Sequence, residues 1–313
     1  MKKVAYIFPG QGSQEVGMGK QMYETYSDVK QLFDQADEAL QYSLTSLMFE
    51  GPGEELTKTE NAQPALLLNS AGITKVLEQE GVTPVMTAGH SLGEYSALVA
   101  AGSLQPDDAV QLVHTRGKLM EEAVPAGQGA MAAVLGIERG EIENVLSQLD
   151  DSEPVDLANI NCPGQIVISG TAKGVEEASR LLKEAGAKRV LPLNVSGPFH
   201  SRLMAPASEE LASNLKQAAI SRAQCPVYAN VTAEPVEQED EIEQLLVKQL
   251  YSPVRFEEIL EKFVAADLDA IVEVGQGKVL SGLVKKVNRR TKTFSIQDPE
   301  SLQSFVEWYK EES

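Results

Sequence analysis

The chain has 313 residues, 42% of them hydrophobic and 23% charged, with a net charge of −19. That length holds one large α/β domain and a smaller one around a real core, and the acidity excludes a nucleic-acid-binding surface. Two cysteines, Cys162 and Cys225, are too few for a disulfide framework and lack metal-ligand spacing, so neither a disulfide nor a metal site is expected.

Met1-Lys2-Lys3 before an apolar run superficially suggests a signal peptide, but Pro9-Gly10 cuts the run short and 4–8 reads as a first strand. No run has the length of a membrane-spanning helix. A cytoplasmic protein is therefore expected. Helical stretches follow around 17–48, then a helix over about 61–80 with Ala65, Leu66, Leu67, Ala71 and Val76 on an apolar stripe. A strand over 84–88 leads into Gly89-His90-Ser91-Leu92-Gly93, and helices over 94–101 and 106–122 come next. This alternation predicts a parallel sheet covered on both faces.

From about 127 to 196 the order changes. A strand at 131–136, a helix at 138–149 and strands at 155–159 and 165–169 around Pro163-Gly164 precede a helix at 173–185 and a strand at 189–193. That is β-α-β-β-α-β, the split βαβ of a ferredoxin-like unit, read as an insertion. The larger fold resumes at Ser196-Gly197 with a helix at 203–218, strands at 226–231 and 269–274, and a last helix near 301–311. The acidic run at 237–243 reads as a solvated loop and helix start. The expected architecture is α/β: an α/β-hydrolase-like large domain with a parallel sheet, 1–126 and 197–313, plus an inserted ferredoxin-like small domain, 127–196.

Gly89-His90-Ser91-Leu92-Gly93, between a strand and a small-residue helix, has the form of a nucleophile elbow. Glycine leaves room for the sharp turn, the serine Oγ is presented at the carboxyl edge of the sheet, and the Leu92 N–H can donate to an oxyanion. A serine nucleophile needs a base, and the chain has three histidines. His90 adjoins the serine and points elsewhere, and His114 lies in a helix pattern four residues before Lys118. His200 ends the turn Ser196-Gly197-Pro198-Phe199, whose glycine and proline fix the backbone. Elimination selects His200. No acid stands out as the third member, which leaves a backbone carbonyl as an alternative orienting group.

The turn Pro9-Gly10-Gln11-Gly12-Ser13 fails as a phosphate loop, because Met18 stands where a lysine would follow Gly17, and Glu15 breaks the dinucleotide fingerprint. It is either a plain tight turn or a second oxyanion donor beside Leu92. Arg116 falls on the apolar stripe formed by Ala109, Leu112, Val113, Leu119 and Met120. An inward guanidinium is costly unless paired. Its partner is a protein carboxylate or a ligand carboxylate held by two parallel hydrogen bonds, unless the side chain snorkels to the surface.

Phe8-Pro9-Gly10-Gln11-Gly12-Ser13-Gln14, Gln63-Pro64-Ala65, Gly89-His90-Ser91-Leu92-Gly93-Glu94-Tyr95, Arg116-Gly117, Gly197-Pro198-Phe199-His200-Ser201, and Gln249-Leu250 with Ser252-Pro253-Val254 stand in this order along the chain. By these motifs, over essentially its whole length, the chain closely resembles the malonyl-CoA:acyl carrier protein transacylases of bacterial fatty-acid synthesis. The resemblance implies Ser91 as nucleophile, His200 as base, the N–H groups of Gln11 and Leu92 as oxyanion hole, and Arg116 on the malonyl carboxylate. It also implies that the Gln249 backbone carbonyl orients His200 and that Phe199 marks use of malonyl rather than branched acyl groups.

Coenzyme A then enters as the thioester substrate, with no permanently bound cofactor, and acyl carrier protein is the transient partner of a monomer without nucleic-acid or membrane partners. Carrier proteins are acidic, so docking calls for a basic patch. Lys285, Lys286, Arg289 and Arg290 share one face if 279–290 is helical, and Lys188 with Arg189 is a second candidate; plain solvating charge is the alternative. The rival activity is a serine thioesterase or esterase on the same elbow, against which the inward Arg116 speaks. A carrier-docking scaffold without catalysis is a third reading.

Overall fold

The structure, a computed structural model, describes residues 2–311. Met1, Glu312 and Ser313, the outer limits of the expected large domain, lie outside the described residues. In chain order the first half runs β1 (Val4–Phe8), α1 (Lys20–Thr25), α2 (Ser27–Leu40), α3 (Leu44–Glu50), α4 (Gly53–Thr57), α5 (Thr59–Gln79), β2 (Met86–Gly89), α6 (Leu92–Ala100) and α7 (Pro106–Glu122). Then come β3 (Gly129–Leu135), α8 (Arg139–Leu146), β4 (Val155–Cys162), β5 (Gln165–Thr171), α9 (Ala172–Glu184) and β6 (Arg189–Pro192). The chain continues through a 3₁₀ turn (Arg202–Ala207), α10 (Ser208–Gln217), β7 (Val227–Tyr228), β8 (Pro235–Val236), α11 (Glu239–Gln249), α12 (Phe256–Ala265), β9 (Ala270–Val274), α13 (Val279–Val287), β10 (Thr293–Ile296) and α14 (Pro299–Lys310).

The fold is α/β, with two sheets. The larger has the order β10-β9-β1-β2-β7-β8, parallel throughout except for β8, which runs antiparallel to β7 at one edge. The second is antiparallel in the order β4-β5-β3-β6. β1 is buried along its whole length, as a strand with both faces covered must be. Its side chains alternate between two cores: Val4, Tyr6 and Phe8 join one with Phe33, Tyr95 and Phe305, while Ala5 and Ile7 join another with Phe256, Phe263 and Ile271. A third core, with Val134, Ile142, Ile168 and Leu182, lies between the second sheet and its helices.

Two features of this frame position the site. β1 and β2 pair in parallel register with Phe8 opposite Gly89, so the turns leaving both strands emerge side by side at the carboxyl edge, where open α/β sheets bind ligands. β4 is tied to the segment after α11, with Ile160 N–H donating to Val254 O and Val254 N–H to Ala158 O, each at 2.8 Å. Arg202 adds an ion pair to Asp156 on β4.

Several boundaries differ from expectation. The stretch 17–48 breaks at Tyr26 and again around Gln41, which takes a left-handed φ of 61°. The helix expected at 94–101 starts at Leu92, directly after the serine. The expected strand at 226–231 shrinks to Val227–Tyr228. The helix expected at 203–218 opens as a 3₁₀ turn containing Pro206, whose ring and missing N–H disfavour a regular α-helix there. β8, β10 and α12 carried no sequence signal.

Candidate active site

Ser91 sits between β2 and α6 with φ 51° and ψ −106°, a left-handed conformation that a residue with a Cβ adopts only under constraint. The constraint is steric and polar. A Cβ on Gly89 would lie 1.9 Å from the Gly93 carbonyl carbon, and one on Gly93 would lie 2.1 Å from the Phe8 carbonyl oxygen. Asn230 pins the turn from β7's side. Its Oδ1 accepts from the Ser91 N–H at 2.8 Å and its Nδ2 donates to Gly89 O at 2.7 Å. Leu92 is the first helical residue of α6, so its N–H has no intrahelical acceptor, and it donates to no backbone acceptor among the described residues. Gln11, in the adjoining turn, anchors its side chain on Thr59 Oγ1 at 3.2 Å, and its backbone N–H donates to no acceptor among the described residues.

His200 is buried, with a φ of 55°. Its Nε2 lies 2.7 Å from Ser91 Oγ and its Nδ1 lies 2.8 Å from the backbone oxygen of Gln249, the last residue of α11. A carbonyl only accepts, so Nδ1 carries the proton and Nε2 is left with its lone pair toward the serine. Burial, and then the charge of Arg116, push the imidazole pKa down to about 3. The ring is a neutral acceptor at physiological pH, and among the described residues no carboxylate hydrogen-bonds to it.

Arg116 is wholly buried on α7. Its Nη1 donates to Gln63 Oε1 at 2.7 Å, and its Nη2 donates to Gln249 Oε1 at 2.9 Å and to Ser91 Oγ at 3.1 Å. The guanidinium carbon lies 5.2 Å from the centre of the Tyr95 ring, within cation–π range. Among the described residues no carboxylate forms an ion pair with it, so of the two partners the sequence left open the protein one is not found there. Its acceptors are neutral, and the charge remains available beside the nucleophile.

The other sequence candidates fall in several places. His90 turns away from the serine and places Nε2 2.7 Å from Asn161 Oδ1 on β4. His114 places Nδ1 2.8 Å from Glu60 O. Phe199 is buried beside His200, its ring against Gly197. Lys285, Lys286, Arg289 and Arg290 do not share a helix face: α13 ends at Val287, the extended Asn288 caps it, and Arg289 and Arg290 lie in the next turn. Lys285 Nζ folds back onto Thr291 O, whereas Lys286 reaches Gln165 Oε1 at 2.9 Å.

Sequence reasoning missed a buried layer behind the elbow. Glu94 Oε2 accepts from the Asn230 N–H at 3.0 Å and from Gln249 Nε2 at 2.8 Å, and the same Nε2 donates to Ser91 O at 3.0 Å. Glu94 and Gln63 stood inside quoted motifs without a task. Asn230 had no signal at all.

The chain is similar to known proteins over nearly its whole length. A family model described as an acyl transferase domain matches residues 5–301. Malonyl CoA-acyl carrier protein transacylase of Bacillus subtilis is 55% identical, over 100% of this chain and 99% of its own. The Escherichia coli K12 protein of the same name is 44% identical, over 98% of this chain and 100% of its own. Among solved structures, an acyl carrier protein S-malonyltransferase from Vibrio cholerae superposes with a TM-score of 0.94 at 45% identity, covering 97% of this chain and 99% of that one. A type II PKS acyl-carrier protein in complex with its malonyl-transacylase gives 0.94 at 42% identity with the same coverage.

Proposed function

The chain belongs to the acyl transferase family, among the malonyl-CoA–acyl carrier protein transacylases, and from that premise we propose the roles of its residues in malonyl transfer. The observation that carries the reading is the line Gln249 O, His200, Ser91 Oγ, with the unpaired charge of Arg116 at the same oxygen. Neutral His200 takes the Ser91 proton as Oγ attacks the malonyl-CoA thioester carbon. The N–H groups of Gln11 and Leu92 hold the tetrahedral oxyanion, each such donor being worth roughly 3–4 kcal/mol. The C–S bond breaks, His200 returns its proton to the departing coenzyme A sulfur, and a malonyl-Ser91 ester remains.

The phosphopantetheine thiol of acyl carrier protein then gives its proton to His200 and attacks the ester, and Ser91 is reprotonated as it leaves. Arg116 binds the malonyl carboxylate throughout. Malonyl is short, so a guanidinium touching Oγ is within reach of a carboxylate two carbons from the reacting carbonyl. Phe199 narrows the pocket against branched acyl groups. Coenzyme A serves only as a substrate carrier, and no resident cofactor enters.

We read residues 1–126 and 197–313 as an α/β-hydrolase-like domain and 127–196 as a ferredoxin-like unit that keeps water from the ester. The order β4-β5-β3-β6 with α8 and α9 supports this. Two basic groups support a docking face for the acidic carrier. Lys188 and Arg189 lead into β6 beside the end of β3, where Leu135 pairs with both Arg189 and Gln165, and Lys286 reaches Gln165 from α13. Each chain carries a complete site, so a monomer suffices. Among the described residues no helix is long and apolar enough to cross a membrane, and the reactants point to the cytoplasm.

Intact-mass measurement after mixing with malonyl-CoA or acetyl-CoA tests the assignment. The wild type gains one malonyl group, Ser91→Ala gains none, and Arg116→Ala loses malonyl while keeping acetyl. An adduct that persists in Ser91→Ala, or equal loss of both acyl groups in Arg116→Ala, overturns it.

A further inference from the structure

Glu94 is a buried charge for which malonyl transfer as described has no task. It lies in the first turn of α6, 2% exposed, and forms no ion pair among the described residues. Its Oε2 receives Gln249 Nε2 at 2.8 Å, and the oxygen of that same amide receives Arg116 Nη2 at 2.9 Å. One planar amide therefore stands between a carboxylate and a guanidinium. Only one polarity satisfies both ends, because a carboxylate accepts and a guanidinium donates. A buried carboxylate is expensive unless it offsets a nearby charge, and the cation across this amide is Arg116.

We propose that Glu94 is the counter-charge of Arg116, and that through it Glu94 sets how strongly the site prefers acyl groups ending in a carboxylate. Glu94 touches no substrate and is a positioning residue. The proposal rests on Arg116 as the group that binds the substrate carboxylate. In the free site ionised Glu94 offsets part of the guanidinium's field, and an arriving carboxylate competes for what is left. A neutral acyl group is indifferent to that competition.

Burial pushes Glu94 up to about 7 against its hydrogen bonds from the Asn230 N–H and Gln249 Nε2 and then the pull of Arg116, so its charge changes between about pH 6 and pH 8. The ionisable groups that act on it are Arg116 on α7 and Tyr95 on α6, while two imidazoles adjoin Ser91, His90 as its neighbour in sequence and His200 on its Oγ. Tyr95, pushed up to about 12, stays neutral. The two imidazoles, both lowered by burial, act on either acyl group alike and cancel in a ratio.

The experiment measures kcat/KM for Ser91 acylation by malonyl-CoA and by acetyl-CoA, in wild type, Glu94→Gln, Arg116→Ala and the double variant. At about pH 8.5, Glu94→Gln raises the malonyl-to-acetyl ratio by roughly fivefold through a lower KM for malonyl-CoA, the size expected of a screened charge several ångströms away. At about pH 6, where Glu94 is already protonated, the same variant stays within about twofold of wild type. The double variant shows no such effect. The wild type alone shows a higher ratio at the lower pH, a readout that stands even if Glu94→Gln does not fold. A ratio that is flat with pH in wild type, or unchanged or lowered in Glu94→Gln at the higher pH, overturns the proposal. If Arg116→Ala still selectively loses malonyl, only the role of Glu94 has failed; if it loses both acyl groups alike, the reading of Arg116 has failed first.

Discussion

His200 and Glu94 are both buried within one hydrogen-bonded site, and their protonation is displaced in directions that oppose each other in stability. His200 binds its proton at about 3 when folded against an ordinary value of 6.5. Between those limits the unfolded chain holds the extra proton, so stability falls as pH drops below 6.5. Glu94 binds its proton at about 7 when folded against an ordinary 4.5. There the folded chain holds the extra proton, so stability rises as pH drops from 7 toward 4.5. Each slope is about 1.4 kcal/mol per pH unit. From pH 6.5 to pH 5 each group therefore contributes about 2 kcal/mol, with opposite sign, and in wild type the two cancel.

Single variants expose the hidden slopes. Relative to wild type over that interval, Glu94→Gln loses about 2 kcal/mol and His200→Asn gains about 2 kcal/mol. Urea unfolding followed by the single tryptophan, Trp308 on α14, reads the difference, and titrations common to all three proteins drop out of it. Variants that run parallel to wild type within about 0.5 kcal/mol refute the burial of these two protonation states. The same neutrality of His200 keeps acetyl loading from falling near pH 6.5; an acid limb centred there, as for a solvated imidazole, refutes it independently.

Two further outcomes test the frame around the site. Gly93→Ala places a Cβ 2.1 Å from the Phe8 carbonyl oxygen and is expected to cost about 3 kcal/mol or more; Gly140→Ala, with open space around it, is the unaffected control, and equal stability of the two variants contradicts the elbow's packing. Reversing charge at Lys188 and Lys286 is expected to raise the KM for acyl carrier protein roughly three- to tenfold at low salt, to lose that effect at high salt, and to leave malonyl-CoA kinetics unchanged. An unchanged KM for the carrier removes this face from the account.

Ser91 was legible because its signal is local: two glycines, a serine and a strand-to-helix transition within five residues. His200 was legible because three histidines leave little choice. Arg116 announced itself by interrupting an apolar stripe, but its acceptors did not. Gln63 and Gln249 lie 53 and 133 positions away, and neutral amides at such distances leave no pattern. The group that orients His200 has no residue type to read, since any backbone carbonyl will serve; only the family resemblance pointed to Gln249. β8 and β10 are two and four residues long, too short for alternation to register, and they are strands because of what they pair with; β7 was expected, but only two of its six expected residues pair as strand. The basic patch failed as a helix face because the chain is extended at Asn288, which ends the helix before its two arginines.

The absence of an acid beside His200 and the availability of Arg116 are one design constraint rather than two. An aspartate in place of the Gln249 backbone oxygen at Nδ1 would add a negative charge at the residue whose side chain holds Arg116, and would offset part of the guanidinium's pull on a substrate carboxylate. A backbone carbonyl fixes the tautomer without adding charge, so orientation of the base and recognition of an anionic acyl group do not compete. Glu94 meets the remaining requirement, that a bare buried cation be tolerable before substrate arrives. One amide away, it is near enough to offset Arg116 and too far to claim it.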